Sequence, residues 1–470
     1  MKIKHHEIIP NSDHPFAECK LEREPYAKVL TDIVNTYADG FVLAINNEWG
    51  TGKTTFVKMW QQHLKKNEFQ TIYFNAWEND FDSNPLVAVM SELETLTNGD
   101  NKKVFKSVVE KGAILVKNIA PAILKAVADK YIDSKVIADA IENTTKASTE
   151  ILEEEIKAYA SKKKTIVEFR KELEKFVTQS DNSKPLVFII DELDRCRPTY
   201  AVEVLEQIKH FFSVSGIVFV LSIDKKHLSS AVKGFYGSEQ IDSNEYLRRF
   251  IDLEYSLPAP PTTKFVNYLY EYYGFNEFFS SAERKKFPEL KDDGHFFLKI
   301  AILLFTKSNA TLRQQERVFA LSRLILCSFN ANQYTFSHLL FVLVYLKTME
   351  NDLFQKIERN ELTLQQLSDA FFELINSEKS ESTDFNILYI EALLLWFYNN
   401  DKDYNDKVNL LEKDDANNYI TSIKSKLENE KNRSTLAQCF TYIIQQWNYD
   451  SFALNSLIKK INLTEPISIQ

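Results

Sequence analysis

Chain breakers are scarce in this sequence: 10 glycines and 12 prolines among 470 residues, against 34 phenylalanines and 21 tyrosines. That balance excludes collagen-like and low-complexity classes, and it predicts long helices around a dense aromatic core. Cysteine is as sparse. Cys19, Cys196, Cys327 and Cys439 lie far apart with no C-x-x-C spacing, so neither a zinc knuckle nor a disulfide framework is indicated, and a reducing, cytoplasmic setting fits. No apolar run reaches the ~20 residues that a membrane-spanning helix needs. FFLKIAILLF (296–305), HLLFVLVYL (338–346) and ILYIEALLLWFY (387–398) are shorter and read as core helices. The start, MKIKHHEIIPNSDHPF, carries basic residues with no apolar run behind them, so no secretion signal is expected, and His5–His6 read as a solvated terminus rather than a metal site. Positive charge is not in excess: Lys and Arg number 57, Asp and Glu 66, and the formal net charge is −9. Net charge therefore does not draw the chain to nucleic acid or to an anionic membrane, although local patches leave nucleic acid open as a partner. Lys102–Lys103, Lys162–Lys163–Lys164 and Lys225–Lys226 read as solvated faces.

What is present is length and pattern. Hydrophobic residues at 44% and charged residues at 26% mark a globular chain that can hold two or three domains. FVLAIN (41–46) reads as a buried strand, and FVKMWQQHL (56–64) puts Phe56, Val57, Trp60 and Leu64 on one helical face. TIYFNAW (71–77) suggests a second strand. PLVFIIDELD (185–194) has the unbroken apolar character of a strand covered on both faces, and it ends in carboxylates. GIVFVLSID (216–224) repeats the theme, and FIDLEYSLPAPP (250–261) offers a last short strand before prolines close the region. Strands alternating with helical stretches predict a three-layer α/β domain with a mostly parallel sheet. Residues 100–180 interrupt it as a helical insertion. The most apolar part, VEKGAILVKNIAPAILKAV (109–127), is broken by Glu110, Lys111, Lys117 and Lys125 and kinked at Pro121, so it is not expected to span a bilayer; an interfacial or partner-binding role stays open. Beyond residue 262 the periodicity is helical, with acidic linkers EKSESTD (378–384) and EKDDANN (412–418), and an all-α C-terminal half is expected.

Between the first strand and its helix, NNEWGTGKTTFVKMW (46–60) nearly completes G-x-x-x-x-G-K-[ST], with Asn47 where the first glycine belongs. The tripeptide alone is weak, but a strand leading in and a helix leading out let loop amides and the positive helix end converge on phosphate oxygens. Asn47, Glu48, Trp49, Gly50, Thr51, Gly52, Lys53, Thr54 and Thr55 are the candidate nucleotide-binding residues. Lys53 is expected to reach the β- and γ-phosphates of ATP and the Thr54 hydroxyl to ligate Mg²⁺. Asparagine readily accepts positive φ, so the turn is expected to survive at Asn47. The matching acids stand at the end of LVFIIDELD: Asp191 is placed to hold Mg²⁺ through its water shell, and Glu192 to orient and deprotonate a water. Ser222 and Asp224 are candidates for polarising that water or reporting the phosphate. Arg248, Arg249 and Arg313 are candidates for neutralising charge, in cis or across a subunit contact, with plain surface arginines as the alternative.

These segments resemble the KAP family of P-loop NTPases. The likeness rests on NEWGTGKTT with its tryptophan before the glycines, FNAWENDFDSNPL, IIDELDRCRP, VFVLSIDKKHL, YLRRFIDLEYSLPAP and TLRQQERV (311–318), which together span about residues 20–350. Glu192 stands where the family often has aspartate. The resemblance implies an ATPase core with strand order 5-1-4-3-2, over residues 1–265 with the helical insertion at about 100–180, and a helical lid over 266–350; residues 351–470 lie outside it and are expected from their periodicity to form a C-terminal helical domain. It also implies a regulatory or assembly role: some bacterial relatives exclude phage, and others scaffold signalling at membranes. Transmembrane helices found in many members are not carried over, because 100–165 lacks the uninterrupted apolar length.

The leading expectation is an Mg²⁺-dependent, ATP-hydrolysing switch, antiviral defence being one setting, with a homo-oligomer or a separate effector protein as partner. The alternative is a non-hydrolysing scaffold that holds ATP, which Asn47 would favour. A phosphotransferase is disfavoured by the Asp191–Glu192 pair, and a DNA motor by the acidic balance.

Overall fold

A computed structural model of the chain describes residues 8–37, 40–81, 84–99, 101–115, 148–178, 184–375, 385–428, 435–446 and 453–463. The chain divides into two compact units, Glu7–Ala259 and the residues from Pro260 onward.

In the first unit five parallel strands, β1 (Val42–Asn46), β2 (Thr71–Asn75), β3 (Leu186–Asp191), β4 (Ile217–Ile223) and β5 (Leu253–Tyr255), form one sheet in the order 5-1-4-3-2. Side chains alternate between its faces. Leu43, Ile45, Val187, Ile189, Val218 and Val220 point one way, onto α1 (Glu24–Thr36) and α2 (Lys53–Lys66) through Leu30, Val34, Phe56, Trp60 and Leu64. Val42, Ala44, Phe188, Ile190, Phe219 and Leu221 point the other way, onto α3 (Pro85–Glu94), α4 (Lys102–Leu115), α5 (Ser148–Thr178), α6 (Pro198–Gln207) and α7 (Lys225–Tyr236). Burial on both faces is why β3 is apolar up to its terminal Asp191 and β4 is apolar apart from Ser222. The last strand is shorter than the apolar stretch around it, because Pro258, Pro260 and Pro261 follow and cannot donate to a ladder.

Within the insertion, α4 and α5 pack on one another through Phe105 and Phe176, whose ring centroids are 5.1 Å apart, and through an ion pair between Lys111 and Glu168. The kink expected at Pro121, most of the apolar stretch around it, the linker 378–384 and His5–His6 lie outside the described residues.

The second unit is built on helices whose aromatic side chains interlock. Phe297 lies 4.6 Å from Phe275 and 4.8 Å from Phe341, centroid to centroid. The runs at 338–346 and 387–398 fall inside the core helices Ser337–Met349 and Phe385–Asn400. Among the described residues no helix is long and apolar enough to cross a membrane. The stretch read as an acidic linker at 412–418 is instead most of a small hairpin, Glu412–Lys413 pairing antiparallel with Tyr419–Ile420. Its turn is local chemistry: Asp414 accepts hydrogen bonds from the amides of Ala416 (3.0 Å) and Asn418 (2.7 Å), and Asn417 takes φ 65°.

Candidate functional site

Parallel register lines up one residue from each strand at the carboxyl edge of the sheet. Asn75 pairs with Asp191, Asp191 with Ser222, Ser222 with Ile45, and Ile45 with Tyr255. Ligands of open α/β sheets sit beyond this edge. Here β1 runs into the loop 47–52 and β3 into the acidic turn, so two segments far apart in sequence meet.

Gly50 (φ 77°) and Gly52 (φ 79°) occupy the left-handed region, where a side chain would be strained. Gly52 precedes α2 and has no side chain with which to cap it, which leaves the first amides of that helix for an anion. Asn47 does something other than expected. It keeps a negative φ, and its side chain clamps the backbone of Leu257: Nδ2 donates to the Leu257 carbonyl at 2.9 Å and Oδ1 accepts from the Leu257 amide at 2.8 Å. The residue is a tether, so its tolerance of positive φ is beside the point. From the other side Arg23, which is buried, donates to the carbonyls of Thr51 (2.8 Å) and Gly52 (3.0 Å). Nothing in LEREPY marks this arginine; its partners are backbone atoms 28 and 29 residues on.

Lys53 is only 8% exposed. Its ammonium donates to the carbonyls of Asn47 and Glu48, and the Thr51 hydroxyl donates to the same Glu48 carbonyl. Burial pulls its pKa down, while Asp194, Asp224 and Asp191 oppose that shift from nearby. Such an ammonium, bonded to neutral carbonyls and ringed by acids, is suited to an anion that arrives with its own cation. Thr54 and Thr55 follow on the first turn of α2, both half-buried.

Asp191 is fully buried and accepts from the Tyr73 hydroxyl at 2.9 Å and from the Glu192 amide at 3.0 Å. Glu192 takes a left-handed backbone (φ 60°, ψ 23°), uncommon for a residue with a side chain. Burial raises its pKa, opposed by an ion pair with Arg195 at 2.8 Å; Asn75 Nδ2 donates to its other oxygen at 3.5 Å. Ser222 is fully buried, and its hydroxyl has no hydrogen-bond partner. An orphaned hydroxyl in register with Asp191 fits a site for a hydrated cation. Among the described residues no cluster of three or more His, Cys, Asp or Glu side chains is set to hold a metal. An Mg²⁺ ion here would rely on Thr54, Asp191, water and phosphate oxygens, as this ion commonly does.

Asp224 has both oxygens engaged. Oδ1 caps α7 by accepting from the amides of Lys226 and His227, and Oδ2 meets His227 Nδ1 at 2.9 Å. Arg248 pairs with Glu245 at 3.0 Å, and Arg249 is exposed; among the described residues no hydrogen bond or ion pair joins either to the loop. Arg313 belongs to the second unit, on the first turn of the helix Leu312–Leu326.

Chemical patterning also passes over a stack beside the loop. Trp49 lies flat on His227, with centroids 3.8 Å apart, and its indole N–H donates to Asp194. The Arg195 guanidinium sits 5.7 Å from the Trp49 ring and 5.9 Å from that of Trp77. Trp49 stands among the candidate nucleotide-binding residues of the loop, whereas Trp77 and Arg195 stand only within the segments that carry the family resemblance.

The description "KAP family P-loop domain" matches residues 23–418 of this chain. An uncharacterised protein of Methanocaldococcus jannaschii is 31% identical over 179 residues, which is 33% of this chain and 89% of that protein. A Drosophila chain, from a structure of ORC bound to DNA, aligns over 96% of this chain and 87% of its own length, at 10% identity and a TM-score of 0.31. That last similarity is too low to bear on function.

Proposed function

Because this chain belongs to the KAP family of P-loop NTPases, whose phosphate loop is a nucleotide-binding element, we propose that it is an Mg²⁺-dependent ATPase acting as a regulatory or assembly switch. One observation carries the reading: the buried Lys53 ammonium, held by loop carbonyls and facing Asp191, Asp194 and Asp224.

In this reading Lys53 and the amides of the loop hold the β- and γ-phosphates. Thr54 and Asp191 would hold Mg²⁺, which would supply charge to offset that of the phosphates. Glu192 takes a proton from water as the water oxygen bonds to the γ-phosphorus; the bond to the bridging oxygen breaks, and ADP leaves with that electron pair. Ser222 orients the water or senses the phosphate. Charge neutralisation by Arg249 or Arg313 belongs to a closed or assembled state, with 266–350 as the lid and a homo-oligomer or an effector protein as partner.

Phosphate release with ATP and Mg²⁺ tests the reading. Glu192→Gln is expected to keep ATP binding and lose turnover by about a hundredfold or more, and Lys53→Ala to lose both. Turnover in Glu192→Gln equal to the parent refutes the assigned base, and ATP bound without any release by the parent makes the chain a scaffold.

A further inference from the structure

We infer that Arg195 is an exchangeable counter-ion, paired with Glu192 while the site lacks a triphosphate and turned to the terminal phosphate once one is bound. This rests on the ATPase reading above and deepens it.

Arg195 Nη1 meets Glu192 Oε1 at 2.8 Å, with the two side chains 27% and 15% exposed. The guanidinium also lies over the indoles of Trp49 and Trp77. Trp49 belongs to the phosphate loop, Trp77 follows β2 and Arg195 follows β3, so one cation touches three segments at the carboxyl edge of the sheet. It stands within electrostatic reach of Lys53. A guanidinium so placed lies beside the residue that would hold the phosphates and is bonded to the residue that would attack through water.

Magnitudes favour the exchange. A partly exposed ion pair through a single nitrogen and oxygen is weak, because water screens both charges and competes for both partners. A triphosphate brings several negative charges, and its terminal oxygens match the fork of a guanidinium, which makes stronger, charge-assisted bonds. Cation–π attraction to two indoles at 5.7 and 5.9 Å is non-directional enough for the group to shift while keeping much of that attraction. Glu192 does not depend on Arg195 for its place: its left-handed turn is fixed by the backbone, and Asn75 stays on its other oxygen. The base is therefore uncovered only when there is a phosphate to attack. Two other arginines of the unit are committed elsewhere, Arg197 to Asp80 at 2.7 Å and Arg248 to Glu245 at 3.0 Å.

The test uses the full chain with Mg²⁺, a slowly hydrolysed ATP analogue and ADP, with binding read by calorimetry and by tryptophan emission. Glu192→Gln releases Arg195 and is expected to tighten the analogue about fivefold or more, with ADP changed by less than about twofold. In an Arg195→Gln background the same change is expected to have no effect, because the coupling runs through the guanidinium. The analogue, and not ADP, is expected to shift tryptophan emission in the parent, and Arg195→Gln to abolish that shift. Tightening or an emission shift that survives in Arg195→Gln overturns the counter-ion role while leaving the ATPase reading in place. Failure of the parent to bind either nucleotide overturns the ATPase reading itself, and this inference with it. If Arg195→Gln does not fold, Arg195→Lys replaces it, since it keeps the charge and stem without the fork: coupling cut by about threefold or more supports the role, and unchanged coupling refutes it.

Discussion

Ser222 and Arg23 show two ways in which single side chains depart from ordinary folding economy. The Ser222 hydroxyl is buried without a partner, an arrangement that costs stability unless something else arrives to meet it. Ser222→Ala is therefore expected to leave the melting temperature of the nucleotide-free protein unchanged or slightly raised, while the extra stability conferred by ATP and Mg²⁺ shrinks. Thermal melts with and without nucleotide separate these effects, and an equal ATP-induced shift in both proteins argues against a role at the site. Lys53, Thr54 and Asp191 could be proposed from sequence because each sits in a short pattern at a strand end. Arg23 was not, because it recognises backbone carbonyls, which have no letter in the sequence. Asn47 was legible as a departure and misread as to cause, since its partner is the main chain of Leu257, 210 residues away.

At the scale of elements, α2 was readable because Phe56, Val57, Trp60 and Leu64 recur at helical spacing and all four are buried. The indole N–H of Trp60 donates to the Thr31 hydroxyl at 3.0 Å, so this residue joins α2 to α1 as well as filling the layer beneath the sheet. Trp60→Ala is expected to cost about 3–5 kcal/mol in urea unfolding, with the loop's helix losing its footing. A loss below about 1 kcal/mol would show that the layer repacks. The hairpin at 412–420 was unreadable by the same logic. Its two-residue strands are too short for a period to register, and the Asp414 turn looks, letter by letter, like a solvated acidic linker. Strand β5 was visible as an apolar stretch, but its length is set by prolines and by pairing with β1.

At the scale of the whole molecule, the second unit carries a carboxylate in its core. Glu391 is fully buried and accepts hydrogen bonds from Ser368 and Ser425, each at 2.6 Å. Burial pushes its pKa up from 4.5 to about 7; Glu428 and Asp369 push the same way, and the two serines oppose them. Nearby Cys439 stays a thiol, its pKa raised to about 12. A raised folded-state pKa contributes stability that is complete below about 4.5 and is lost as pH rises through about 7. Urea unfolding from pH 5 to pH 8 is thus expected to show the parent weakening across that window, with Glu391→Gln flatter and the more stable of the two at pH 8. Parallel curves for the two proteins would exclude Glu391 as the source. The two hydrogen bonds from Asn47 to Leu257 bear on the molecule as a whole as well, because Leu257 lies just ahead of the passage at Ala259–Pro260 from one unit into the next. The phosphate cradle is moored to the chain's own exit, so a pull on that exit reaches the cradle through the Asn47 side chain. Asn47→Gly, which restores the commoner motif, is then a loss and not a repair: it cuts the mooring, and ATP affinity is expected to fall about tenfold in calorimetry.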